Sequence, residues 1–169
     1  MLYLLTFTCY GSHLPGDARG SFDHVRGGER CPLAPNPGLE AFRRRNMRQT
    51  PYLLATAQVR CEVRDAIVKV CRYRPWSLYA LHARTNHVHG IVDAETSPSR
   101  VFNAWKAYAS RSLRAAREGP LDRIYWTHGG SARRILTPED LARAMHYVLE
   151  GQGQPLETYY DDPRFVTPP

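Results

Sequence analysis

The sequence predicts an α+β chain: an antiparallel, ferredoxin-like (RRM-like) sheet with helices on one face and an extra C-terminal helix. Three observations predict it. Apolar stretches follow one another in the order strand, helix, strand, strand, helix, strand, the split arrangement of that fold. Two of the strand-like runs, "WSLYALHA" and "HVHGIVDA", are joined only by "RTN", a connection short enough to force an antiparallel hairpin. A chain of 169 residues, 43% of them hydrophobic, is long enough to bury one core and short enough to be one domain.

Each element has a local reason. "LYLLTFTCY" is rich in strand formers and stops at Gly11. From Gly11 to Pro37 glycine, proline and charge dominate, and the basic cluster "FRRRNMR" follows, so residues 11–50 read as a long basic loop insertion. Over 52–73, Leu53, Ala57, Val63, Ile67, Val70 and Cys71 recur at helical spacing, and Pro75 ends the run. Ser97 or Ser99 caps a helix to about Arg117, and "RIYWTHGG" reads as the last strand. "TPEDLARAMHYVLEGQG" carries Thr at the cap, Pro at the first turn, early acids and a closing Gly, which marks one further helix. One domain is expected over 1–156, with 157–169 as a loose tail containing "YYDDPRF".

Composition narrows the function. Twenty-three Lys and Arg against sixteen Asp and Glu leave +7, a balance that favours a polyanionic partner such as nucleic acid. The four cysteines form no Cys-x-x-Cys pair, which argues against a zinc knuckle or thioredoxin-type site and for reduced, cytoplasmic thiols. The apolar start is far shorter than the roughly 20 residues of a membrane span, so no membrane role is expected.

Chemistry concentrates in "RTNHVHGIV". Residues two apart on a strand share a face, so His87 and His89 stand side by side while Val88, Gly90 and Val92 face the helices. Two imidazoles so placed can hold a divalent ion, with a third ligand from elsewhere and positions left for a substrate oxygen. On the helix that follows, Asn103, Lys106, Ser110, Arg114 and Arg117 line one side, a basic stripe able to track phosphates. Arg43, Arg44 and Arg45 of "FRRRNMR", with Arg133 and Arg134, are further DNA-contact candidates.

"RTNHVHGIV" also resembles the His-hydrophobic-His signature of the HUH nucleases, and Asn86 before it is typical of the REP-associated tyrosine transposases. The opening "TFTCYGSHLPGDARGS" is similar to the start of that group's domain, and the resemblance runs from Leu2 to about Leu156. It implies a site-specific DNA endonuclease and transposase that nicks single-stranded hairpin DNA through a covalent 5′-phosphotyrosine, with Mg²⁺ or Mn²⁺ as cofactor. A homodimer associated with the nucleoid is implied too, in some relatives with the tyrosine helix facing the partner's histidines. Tyr147 matches the nucleophile's position, and helical spacing places it off the apolar stripe of Leu141, Ala144, Met145, Val148 and Leu149. The third ligand implied is a glutamine one turn further on. Gly151 stands there, which leaves Gln152 and Glu150 as the alternatives. Two other readings stand beside this one: a non-catalytic single-strand-binding module on the same sheet, and a zinc hydrolase using His82, His87 and His89.

Overall fold

The computed structural model describes residues 1–24 and 30–161; residues 25–29 of the expected loop and 162–169 of the expected tail lie outside the described residues. Its main sheet holds β1 (Leu2–Thr8), β4 (Ser77–Ala83), β5 (His87–Asp93), β6 (Ser131–Arg134) and β7 (Glu157–Tyr160), while β2 (Ser21–His24) and β3 (Arg30–Leu33) form a separate hairpin. The strand order β6-β1-β5-β4-β7 is antiparallel at every pairing, the ferredoxin-like order with β7 added at one edge. The helices are α1 (Pro37–Arg45), α2 (Ala57–Tyr73), α3 (Pro98–Ala115) and α4 (Pro138–Leu149).

The alternation of β1 and β5 divides the core in two. Leu5, Phe7, Val88 and Val92 pack under α2 and α3 with the fully buried Trp105. Gly90 belongs to that side because a Cβ there would lie 2.7 Å from the Trp105 ring. Leu4, Ala80 and Ile91 on the opposite face pack against Leu141, Ala144, Met145 and Val148 of α4. The second face is thus not free, as the expected one-sided helix layer would leave it. The stripe that keeps Tyr147 outward makes α4 seal one half of that face.

Three boundaries differ from expectation. The helix expected from residue 52 starts at Ala57, where the Thr56 hydroxyl accepts from Val59 N–H; before it, Tyr52 and Leu54 donate their backbone N–H to Tyr10 and Thr85 carbonyls. The strand expected at "RIYWTHGG" forms as Ser131–Arg134; within the expected stretch Trp126 keeps an isolated bridge to Cys9, and the Thr127 and Gly129 carbonyls turn to the Lys106 ammonium. The tail expected from residue 157 begins as β7, paired with β4 and held by an ion pair between Glu157 and the buried Arg60. The long loop gains the β2–β3 hairpin, and α1 is capped by the Asn36 side chain accepting from Leu39 N–H.

Candidate active site

His87 and His89 leave β5 on the α4 side, and their ring centroids stand 4.5 Å apart. Register supplies the support for each ring. Thr6 of β1 lies opposite His89, and its hydroxyl meets His89 Nδ1 at 2.7 Å. Asn86 at the mouth of the hairpin places Oδ1 2.6 Å from His87 Nδ1. A carbonyl oxygen only accepts, so His87 carries its proton on Nδ1 and leaves Nε2 as the basic nitrogen. Asn86 is itself held, its backbone carbonyl accepting from Cys9 N–H and the Ser12 hydroxyl.

Burial keeps both rings neutral, pushing His87 down to about 4 and His89 to about 3; the nearby Arg84 charge adds to the first shift and His87 to the second. The Gln152 side chain lies close enough to both rings to favour their protonated forms against this trend. Even so, the two Nε2 atoms are buried without any partner in hydrogen-bonding geometry. Two buried basic nitrogens with an amide side chain nearby are a donor set suited to one divalent cation. Among the described residues no third His, Cys, Asp or Glu completes a metal-holding cluster with them. Of the two alternatives for the third position, Gln152 is therefore the one brought to the rings. Glu150 is exposed and turned to His146, 3.2 Å away.

His82 does not join the pair, although it sits opposite His89 in the register. It is fully buried, with Nδ1 2.8 Å from the Val148 carbonyl and Nε2 accepting from Leu156 N–H at 3.0 Å. With both nitrogens engaged it has no lone pair for a metal, which removes the three-histidine zinc arrangement. Its bonds instead fix the end of α4 and the turn bearing Gln152 to the sheet.

Tyr147 stands on the exposed side of α4, 42% accessible, with its ring 5.2 Å from that of His89. The same chain supplies tyrosine and histidines. Beside the phenol opens a cleft of about 370 Å³, lined by Thr6, Ser131, Arg133, Arg143 and Tyr147. Arg143 lies one turn before Tyr147, and its guanidinium meets Asp140 at 2.6 Å.

Residues 47–132, just over half of the chain, match the family described as "Transposase IS200 like". The chain belongs to that family. The matched stretch contains the histidine pair and ends before Tyr147. Among solved structures, the chain resembles a REP-associated tyrosine transposase bound to a REP hairpin, at 16% identity and TM-score 0.52, over 89% of this chain and 65% of that one. It also resembles a protein assigned as a transposase from Deinococcus radiodurans R1, at 12% identity and TM-score 0.50, over 88% of each chain. At these identities the likeness is one of fold, and the chain spans less than two thirds of the first structure's length. A comparison with curated proteins returns no match.

The expected DNA-contact candidates of the chain fall into three groups. Lys106 and Ser110 spend their polar atoms inside the fold, on the Thr127 and Gly129 carbonyls and on Trp126 Nε1 at 3.0 Å, while the exposed Arg114 gives only its Nε to the Leu121 carbonyl at 3.1 Å. They brace the connection from α3 to β6, and Arg117 is exposed just beyond the helix. Arg43, Arg44 and Arg45 form the last turn of α1, where Arg44 pairs with Glu40 at 2.7 Å. Only Arg133 reaches the cleft at Tyr147; Arg134 follows it on β6 and alternates to the other face. Sequence reasoning missed Thr6, which only the β1–β5 register reveals, and Arg143, which its spacing of four from Tyr147 could have flagged.

Proposed function

We propose that this transposase nicks and rejoins single-stranded DNA through Tyr147, with His87, His89 and Gln152 holding one divalent cation, Mg²⁺ or Mn²⁺. The observation that carries the reading is the Tyr147 ring 5.2 Å from His89, beside two buried imidazole nitrogens without a partner. A cation there supplies Lewis acidity toward a non-bridging phosphate oxygen. The protein's own groups do the positioning. Asn86 and Thr6 orient the imidazoles, while Arg133 and Arg143 bring cationic charge to the cleft where the strand's phosphates pass.

In the step itself the Tyr147 oxygen bonds to phosphorus as the P–O3′ bond breaks. The phenol proton goes to solvent, the 3′ oxygen takes one up, and a 5′-phosphotyrosine and a free 3′-OH result. Attack by a 3′-OH of another end reverses the sequence and joins new DNA without ATP, because the phosphodiester energy is kept. The REP hairpin in the similar structure supports hairpin DNA as substrate, and such a substrate implies a nucleoid location. A homodimer fits this scheme with each chain completing its own site.

The test uses a labelled single-stranded hairpin with Mn²⁺, for the parent and Tyr147→Phe. The expected result is a nucleotide-bearing peptide spanning residue 147 in the parent alone. If neither chain cuts and both bind equally, the protein is a single-strand-binding module and the proposal is lost.

A further inference from the structure

We propose that the cleft between the end of α2, the start of β4 and the outer side of α3 is a second site for single-stranded DNA, taking a base against its aromatic rings and the flanking phosphates on its arginines. This rests on the reading of single-stranded DNA as substrate. The cleft is about 700 Å³, larger than the one beside Tyr147. It lies at the end of β5 opposite to His87, about 20 Å along a seven-residue strand, and on the other side of the sheet.

Its wall is built from one face of α3. Arg100, Asn103, Ala107 and Arg111 recur at spacings of three and four, away from the buried Val101, Trp105 and Ala109. Arg74, at the end of α2, faces the same space. The half-buried Trp76 presents ring surface between these cations, while the Arg111 guanidinium already lies over the half-buried Tyr108, 4.3 Å from its centroid, a stack a base can join or displace. Glu95 is the single acid in the lining.

The charge there is uncommitted. Arg19, Arg44, Arg60, Arg64 and Arg143 each meet a carboxylate, whereas among the described residues Arg74, Arg100 and Arg111 meet none. On the other polar side of α3, Lys106 and Ser110 are spent on the fold. Free guanidiniums around half-exposed rings are the pairing that holds single strands, since every base has a face to stack and every phosphate a charge to meet. A duplex would offer its bases no access to Trp76 or Tyr108. A strand engaged at Tyr147 would thus have a second holding point on the far side of the protein.

The experiment titrates the full chain with an oligothymidylate of about 16 nucleotides, without divalent ions so that nothing is cut. Trp105 and Trp126 are buried, so quenching of tryptophan emission reads Trp76. The expected result is quenching in the parent; in the exposed double variant Arg100→Ala/Arg111→Ala, the slope of log K against log salt becomes shallower by about 1.4, two phosphate contacts at about 0.7 each. An unchanged slope overturns the proposal, as does binding of oligouridylate with no binding of oligothymidylate. Adduct formation at Tyr147 is scored in parallel with Mn²⁺ and the hairpin. An intact adduct with an unchanged slope sinks the second site alone, whereas no adduct in the parent with the shallower slope sinks the cutting reaction and leaves the second site standing.

Discussion

Replacing His82 by Leu tests whether a buried imidazole holds the tyrosine helix in place. The two side chains are close in volume, so little cavity forms and the cost comes from hydrogen bonds. The Val148 carbonyl is among the last four of α4, which lack a partner within the helix, and Leu156 N–H points back at the same ring. Each orphaned group costs about 1–3 kcal/mol, the partly exposed Leu156 N–H at the lower end. Together they predict a loss of about 2–4 kcal/mol, a fall in Tm of roughly 4–16 °C for a domain of this size. Denaturant unfolding reads the total, and amide hydrogen exchange reads the locality. Exchange at Leu156 and at the end of α4 should quicken more than in the sheet. If His82→Leu melts with the parent and Leu156 stays protected, the imidazole is not the clamp described.

Other outcomes follow from single contacts. Gly90→Ala sets a methyl 2.7 Å from Trp105 and 2.9 Å from Leu81 and should cost about 1–3 kcal/mol; an unchanged urea midpoint would contradict that packing. Asn86→Ala removes the acceptor that fixes the His87 tautomer and should weaken Mn²⁺ binding about 10–100-fold by calorimetry, so parental affinity would refute the fit of these residues to a cation. The Asp17 carboxylate accepts two side-chain bonds and one backbone bond from Arg19, which hold its pKa well below the ordinary value. Its contribution is present above about pH 4 and lost as the pH falls further, because the unfolded chain takes up the proton first. Asp17→Asn should flatten the acid limb of a Tm–pH curve, and an identical limb would show that the pair carries none of it.

The sheet was legible because its signals are local. Alternation in "HVHGIVDA" placed the imidazoles on one face, and the cap and first-turn proline of α4 marked its start. What stayed hidden depends on pairing across the chain. No local pattern tells that Lys106 will take two carbonyls of the segment before β6, or that Trp126 will keep just an isolated bridge to Cys9, and the lysine was read as a DNA contact. The same holds for β7, whose four residues become a strand only because β4 has a free edge and Arg60 awaits Glu157. That the Gln152 side chain rather than Glu150 lies near the imidazoles depends on which way the turn after α4 faces, and His82 bonds the far end of that turn at Leu156.

The attachment of the chain's later part to β4 orders events during synthesis. Both imidazoles and the strands that hold them are made before residue 147, while phenol, amide and the strand that pins their connecting turn come later. Under the reaction proposed for Tyr147, a nascent chain therefore holds the receiving half of its centre before its nucleophile has been made. Cutting then waits until the later part of the chain has docked on β4.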